Sequence, residues 1–454
     1  MQDHDAVDGT NRRRILKRTA LLGTAGIAGL AGCTGGGGGG GDGDGGGDGE
    51  GGDGSDGGDG GGGDGGDGGG TTAGGGGIDS ITVGVATSLS GPFAVFGNAE
   101  LNGAKLAAED LESELGVSID IATGDTEVNP ATGLERMKRL VTQDGIDVAM
   151  GGVSSAVAIK MGTWASDNSV AYFPTGAHSD AITGGQCAEY MFRPTCSNSM
   201  LANTIGQEMA GAADSWYLLY SDYTWGQTAQ QAVTNILEDN GKSVAGKSAV
   251  PFPHDDYSPY VNEAKASDAD GIGVLIAGLD MRKALTSIIN KGVDDRTLAM
   301  HQNEDVVYWG LDKETASVLD ISGQVWGPAA PGGDEFKQRV ADSYDTDPYV
   351  RHFLGYVSMD QAVRAAHRAG GTTAEDIRGE LEGHEVTSPV KAMKGGGKMY
   401  WRACDHQLVQ PTFNVKARPT GQMQDQPYKS WFTVEKEFAG DDVARACDAT
   451  GCQL

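Results

Sequence analysis

The chain has 454 residues, 74 of them glycine, and its 34 Lys and Arg face 63 Asp and Glu, a formal net charge of −29. So acidic a balance excludes nucleic acid and anionic lipid headgroups as partners held by charge. A glycine-rich N-terminal tract precedes 377 residues of ordinary composition, 78–454, enough for two domains and a sizeable core.

Residues 12–33 read RRRILKRTALLGTAGIAGLAGC. A basic front (Arg12, Arg13, Arg14, Lys17, Arg18), an apolar run over 20–31 and small residues before Cys33 have the layout of a secretory signal. The run is short of the ~20 residues that span a bilayer, and an uncleaved signal anchor is the competing reading. The paired arginines with the following Arg14, Ile15, Leu16 and Lys17 resemble a twin-arginine export signal. Leu30, Ala31, Gly32 and Cys33 resemble a lipobox, in which the Cys33 thiol is lipidated and becomes the new N-terminus. This predicts a signal over 1–32 and a lipid-anchored linker over 33–77. The linker carries nine acids and no large apolar side chain, so it cannot bury a core. As a tether it reaches roughly 35 to 40 Å.

Beyond the tract the pattern alternates between strand and helix. Ile81, Val83 and Val85 predict a strand, and Leu101, Ala104, Ala108, Leu111 and Leu115 recur at helical spacing. A strand at 119–121 follows, then Asn129 as cap, Pro130 in a first turn, and a buried stripe of Leu134, Met137 and Val141. A strand at 146–150, a turn at 151–155 and a helix to about 167 complete the first series. The second series has a helix over 198–211, a strand at 216–220, a helix over 228–238, a strand at 273–276, a helix with Leu285, Ile288 and Ile289, and a strand at 298–300. Two such series predict an α/β protein of two doubly wound parallel-sheet lobes. The acids spread along this body, with few lysines, resemble those of proteins of salt-loving archaea, where salt screens self-repulsion.

Five cysteines remain on the body once Cys33 is assigned to lipid. Cys187 with Cys196, and Cys447 with Cys452, are the expected disulfides of an oxidising exterior, leaving Cys404 free, although spacing alone does not fix connectivity.

Ligands of open parallel sheets bind beyond the carboxyl ends of the strands. That rule selects the loops at 88–98, 151–158, 174–180, 220–227, 277–282 and 301–305. Gly151 and Gly152 allow close backbone approach, and Ser154 and Ser155 stand at a helix N-terminus suited to a carboxylate, or simply cap that helix. Phe96 and Trp225 offer an aromatic wall or ordinary packing. Glu304 is a partner for an ammonium or a solvated surface acid, and His178 is a ligand contact or a polar loop residue. No G-x-S-x-G, H-E-x-x-H or P-loop is present. The PHDDY segment at 253–257 is read as a solvated loop, so no metal, cofactor or catalytic residue is expected.

The stretches ITVGVATSLSGPFAVFGNAELNGAKLAAEDLE (81–112) and GDTEVNPATGLERMKRLVTQDGIDVAMGGVSSA resemble the branched-chain amino-acid binding proteins of ABC importers, a family with amide and urea binders and the type I periplasmic-binding fold. The likeness extends weakly over most of 78–440. It implies a three-crossover hinge between lobe 1 (78–197 and 323–404) and lobe 2 (198–322 and 405–454). By position, Ser155 and Gly176 correspond to contacts of the ligand carboxylate. His178 replaces a threonine, Phe96 and Trp225 match aromatic pocket positions, and Leu279 replaces an aromatic residue. Glu304 falls within a residue of the acid that takes the α-ammonium. RACDHQLVQP (402–411) resembles a crossover segment. The implied protein is a monomeric, lipid-anchored extracellular solute binder that serves a membrane permease, with a branched-chain amino acid as the leading solute. A sensory lipoprotein or an amide or urea binder would use the same fold. A hydrolase would need Ser155 with His178, a pair for which no orienting third residue is evident.

Overall fold

The computed structural model describes residues 77–454; the leader, Cys33 and the Gly/Asp tract up to residue 76 lie outside the described residues. In chain order, β1 (Ser80–Thr87), α1 (Ala94–Leu115), β2 (Ser118–Asp125), α2 (Pro130–Thr142), β3 (Val148–Gly151), α3 (Ser155–Asp167) and β4 (Ala171–Pro174) form the first series. Their four strands make an all-parallel sheet of order β2-β1-β3-β4. The Asn129 side chain caps α2, accepting from the amides of Ala131 at 2.8 Å and Thr132 at 3.2 Å, with Pro130 in the first turn as expected. The buried face of α2 is Gly133, Met137 and Leu140, rotated from the expected stripe of Leu134, Met137 and Val141. Gly133 is the cause: a Cβ there would stand 2.7 Å from Val157, so its absence lets α2 turn that side onto α3.

The second series runs α4 (Asn198–Ala212), β5 (Ser215–Ser221), α5 (Thr224–Asp239), β6 (Ser243–Val250), α6 (Ser258–Ala266), β7 (Gly271–Leu275), α7 (Asp280–Asn290), β8 (Thr297–Met300), α8 (Asp305–Tyr308), α9 (Lys313–Ala316) and β9 (Ile321–Gln324). The chain then supplies α10 (Asp334–Ser343), α11 (Val350–Ala369) and α12 (Ala374–Leu381), the short antiparallel pair β10 (Tyr400–Trp401) and β11 (Leu408–Val409), and finally β12 (Thr412–Ala417), β13 (Phe432–Phe438) and α13 (Gly440–Val443). The second sheet has the order β13-β12-β9-β8-β7-β5-β6, parallel from β6 to β9 and antiparallel at β12 and β13. The sequence reading has neither β6 nor α6; the edge strand SVAGKSAV buries little and mixes small residues with polar ones.

The protein is thus two α/β lobes of parallel-dominated sheets joined by three crossings, at 175–197, 325–333 and 402–411. The first and third run side by side. The Arg193 amide donates to the His406 carbonyl at 2.9 Å, and the Leu408 amide donates to the Arg193 carbonyl at 3.0 Å. Buried Arg193 and Gln410 reinforce this, donating to Gln407 Oε1 at 2.7 Å and to the Pro194 carbonyl at 2.6 Å.

After the second crossing the chain returns to the first lobe, where α11 lies along α1. Two glycines permit the close approach. A Cβ on Gly103 would stand 1.9 Å from the His352 carbonyl oxygen, and one on Gly355 equally close to that of Glu100.

The disulfides differ from the expected pairs. Cys187 bonds to Cys452 and Cys404 to Cys447, while Cys196 is free and buried. The expected pairs Cys187–Cys196 and Cys447–Cys452 are neighbours along the chain, whereas the bonded pairs are 265 and 43 residues apart in sequence. The C-terminal tail runs back along the first and third crossings, setting Cys452 and Cys447 5.6 and 6.0 Å (Cα to Cα) from their partners, whereas Cys196 faces the core. Among the described residues no helix is long and apolar enough to cross a membrane, and no cluster of His, Cys, Asp and Glu could hold a metal ion.

Candidate binding cleft between the two sheets

Strand ends from both sheets converge on one cavity. Phe93 and Phe96 follow β1, Val153 follows β3, and Gly176 and His178 follow β4; Tyr223 and Trp225 follow β5, Gly278 and Met281 follow β7, and Gln302, Glu304 and Tyr308 follow β8. All six loops selected from the sequence contribute.

The two lobes build their aromatic walls in the same way. A Cβ on Gly97 would stand 2.0 Å from the Ser88 carbonyl oxygen, and one on Gly226 would stand 1.9 Å from that of Ser221. Each glycine seats the first turn of its helix on the end of the preceding strand. The residue just before it, Phe96 in one lobe and Trp225 in the other, is thereby turned into the cleft. Phe93 stacks on Phe252 of the second lobe at 5.0 Å between ring centroids, and Phe252 stacks on Tyr223 at 5.4 Å, so rings meet across the cleft.

Beneath the rings runs a continuous polar chain from one lobe to the other. Trp225 Nε1 donates to Gln302 Oε1 at 2.8 Å, and Gln302 Nε2 donates to Glu304 Oε1 at 2.7 Å. Arg351, in the first turn of α11, grips Glu304 with two parallel bonds, Nε to Oε2 at 3.0 Å and Nη2 to Oε1. Its Nη1 donates to Glu100 Oε1 at 3.0 Å and to the Gly176 carbonyl at 2.7 Å, and the Thr87 hydroxyl donates to Glu100 Oε2 at 2.7 Å. Glu100, Arg351 and Glu304 are 0, 3 and 7 % exposed, so the triad is buried and each of its four carboxylate oxygens has a donor. Burial alone would weaken the Arg351 guanidinium, but Glu304 and then Glu100 more than offset it, and its pKa lies above the usual value. Burial raises that of Glu100 despite Arg351 beside it.

Arg351 is the functional residue that the sequence reading misses. The available signal was Glu100, which lies one turn before Ala104 on the buried stripe of α1, where an acid requires a buried partner. Tyr349, two residues before Arg351, donates its hydroxyl to the Val95 carbonyl at 2.7 Å and fixes the start of α11 against α1.

Of the residues selected from sequence, Phe96, Gly176, His178, Trp225 and Glu304 line the cavity. Gly176 is confined to glycine because a Cβ would collide with Arg351 and Glu100, and its carbonyl serves Arg351. His178 is held neutral by burial, then by the nearby Arg351, and its Nδ1 lies 2.8 Å from the Cys196 carbonyl, which assigns the proton to Nδ1. Ser155 and Leu279 are not among the lining residues. Ser155 Oγ instead accepts from the Ser179 amide at 3.2 Å, and no hydrogen bond joins Ser155 to His178. The hydroxyls of Tyr223 and Tyr308, both at the cavity, make no hydrogen bond to the described residues. The free volume of the cavity is about 40 Å³ on the measure by which one water needs ~10–15 Å³, room for a few waters.

A family model described as periplasmic binding protein matches residues 80–422. A Leu/Ile/Val-binding protein homologue of Brucella suis biovar 1 is 27% identical over 350 residues, 71% of this chain and 83% of the relative. A periplasmic binding protein from Burkholderia mallei superposes with a TM-score of 0.76 at 22% identity, covering 83% of this chain and 99% of that one. An ABC-transporter solute-binding protein from Rhodopseudomonas palustris BisB5, solved with 3,4-dihydroxybenzoic acid, superposes with a TM-score of 0.71 at 18% identity, covering 80% and 98%.

Proposed function

Because the chain belongs to the periplasmic binding protein family, we propose that it is the extracellular solute-binding component of an ABC importer, exported by the twin-arginine route and anchored through lipid on Cys33. The observation that carries this is the cavity between the two sheets, with Phe96 and Trp225 facing it from opposite lobes and Arg351 joining Glu100 of one lobe to Glu304 of the other.

The lobes, 78–197 with 323–404 and 198–322 with 405–454, separate about the three crossings to admit solute and close over it. The small free volume of the cavity, room for a few waters, fits a closed arrangement. The closed body then presents itself to a permease, and the glycine-rich linker lets it reach the permease from its anchor. The Brucella relative is a Leu/Ile/Val-binding homologue, and the Rhodopseudomonas protein was solved with a ring acid. Such molecules share an apolar body with a polar end. Rings and methionines at this cavity favour the same for this chain: a small organic solute with a branched or ring-shaped apolar body. Ser155, with its hydroxyl engaged by Ser179, acts by holding the 176–179 turn in place.

Thermal unfolding in molar salt against amino acids, short amides, urea and small carboxylates tests this. A ligand at a hundred times its Kd adds about 2.7 kcal/mol, a visible shift. A shift with one chemical class supports the transport reading; turnover of amides or esters would replace it with an enzyme.

A further inference from the structure

Resting on the reading of the cleft as a solute site, we propose that Arg351 is its charge filter: the solute has an apolar body and an oxygen-bearing polar end, and carries no ammonium group.

The argument begins at Glu304. An ammonium that leaves water needs a carboxylate to receive it, since a buried charge without a counter-charge is costly. Glu304 is the one acid among the residues lining the cavity. Three donors already reach its two oxygens, Arg351 Nε and Nη2 and Gln302 Nε2, which leaves one acceptor site on Oε2, directly beside the guanidinium. Glu100 lies behind Arg351, with its oxygens taken by Arg351 and Thr87. An entering ammonium therefore finds the one lining acid already paired with a guanidinium, and neither acid can turn away to it without leaving Arg351 unpaired in a buried site.

The unspent groups include three donors. The phenols of Tyr223 and Tyr308 each keep a hydroxyl hydrogen with no protein acceptor. Arg351 has five N–H hydrogens, of which four are used, leaving one on Nη2. These three donors belong to residues lining the same cavity and call for oxygen lone pairs, as a carboxylate, amide carbonyl or hydroxyl presents. The Arg351 guanidinium also lies 5.0 Å above the Phe96 ring, so charge and ring are fixed together on the wall that the apolar body would touch.

The test compares solutes that differ only by the ammonium. Leucine is set against 4-methylpentanoate and phenylalanine against 3-phenylpropanoate, by titration of the full chain as wild type, as Arg351→Gln and as Glu304→Gln. Wild type is expected to bind the deaminated member at least roughly tenfold more tightly, and Arg351→Gln to shift that ratio at least roughly tenfold toward the amino acid by freeing Glu304. Glu304→Gln keeps Arg351 and frees its donors, so it is expected to bind the carboxylates more tightly; this decides the matter even where Arg351→Gln fails to fold. If wild type prefers the amino acids and Glu304→Gln abolishes their binding, the charge assignment is overturned while the solute-binding role stands. If neither series binds any of the three proteins, that role falls as well.

Discussion

The carbonyl oxygen of Glu100 on α1 lies 1.9 Å from where Gly355 of α11 would carry a Cβ, so the two helices meet there backbone to backbone. Gly355→Ala must push them apart, because the obstructing atom is main chain and cannot rotate away. Overpacking of this kind costs roughly 1–3 kcal/mol. Since Arg351 precedes Gly355 by one turn, the shift also separates its Nη1 from Glu100, and solute affinity falls with stability. Gly379→Ala on the exposed face of α12, with nothing within 4 Å of the added methyl, is the matched control and gains up to ~1 kcal/mol from helix propensity. Guanidinium unfolding of the two variants should move in opposite directions.

Tyr223→Phe separates a binding role from a structural one. The hydroxyl makes no internal hydrogen bond, and the ring contacts with Phe252 at 5.4 Å and Trp225 at 6.0 Å survive the change. Stability should therefore stay within ~0.5 kcal/mol of the parent. A solute whose oxygen accepts from this phenol should lose about 0.5–1.5 kcal/mol of affinity, roughly two- to twelvefold in Kd. Calorimetric titration reads the affinity, and an unchanged Kd would remove Tyr223 from the recognition surface.

What the sequence made legible follows from how regular each element's surroundings are. In the first lobe the helix α2 buries one face, which periodicity finds, while β1 and β3 show as short apolar runs because they are buried on both faces. The edge strand β6 has little buried face to betray it. Helix α11 fails for the opposite reason: it is buried on nearly all sides, so VRHFLGYVSMDQAVRAAHRA shows no apolar stripe, and Arg351 within it reads as a surface charge. Loops at strand ends were found because topology alone selects them. The resemblance carries side-chain positions without their local turns: Ser155 here is bonded to Ser179, and neither it nor Leu279 is among the residues lining the cavity. Disulfide pairing depends on where the C-terminal tail returns, which no local pattern records.

The cysteine pairing gives a direct chemical prediction. Peptide mapping without reduction should recover Cys187 joined to Cys452 and Cys404 joined to Cys447. In the native protein Cys196 should resist alkylation, because burial pushes its thiol up to about 11, and it should react once the chain unfolds. Both bridges fasten the last few residues to the crossings, one across 265 residues of chain. Replacing Cys447 and Cys452 by serine should cost on the order of 2–4 kcal/mol per bridge. Recovery of a Cys447–Cys452 peptide would contradict the fold of the tail.

Asp305 should make stability fall as pH rises toward 8. Its carboxyl is buried, Oδ2 accepts from Gln324 Nε2 at 2.8 Å, and Oδ1 has no partner. Burial pushes its pKa up to about 8 from 3.8. Between those values the folded state holds a proton that the unfolded chain has lost, so the contribution is complete below 3.8 and declines as pH rises to 8, by up to ~1.4 kcal/mol per unit. His301 and His352, pushed down to about 3 by burial, act in the other direction: their contribution is complete above 6.5 and is lost as pH falls toward 3. Lys394, pushed down to about 8 by burial, is silent below that pH. The window from pH 6.5 to 8 therefore isolates the buried acids, and Asp305→Asn distinguishes Asp305 from Glu100, whose pKa burial also raises. An asparagine keeps the acceptor for Gln324 and cannot ionise. Guanidinium unfolding at constant salt should show wild type losing up to ~2 kcal/mol across that window and Asp305→Asn losing markedly less. Equal slopes in the two proteins would mean that Asp305 is already ionised at pH 6.5 and has a donor at Oδ1.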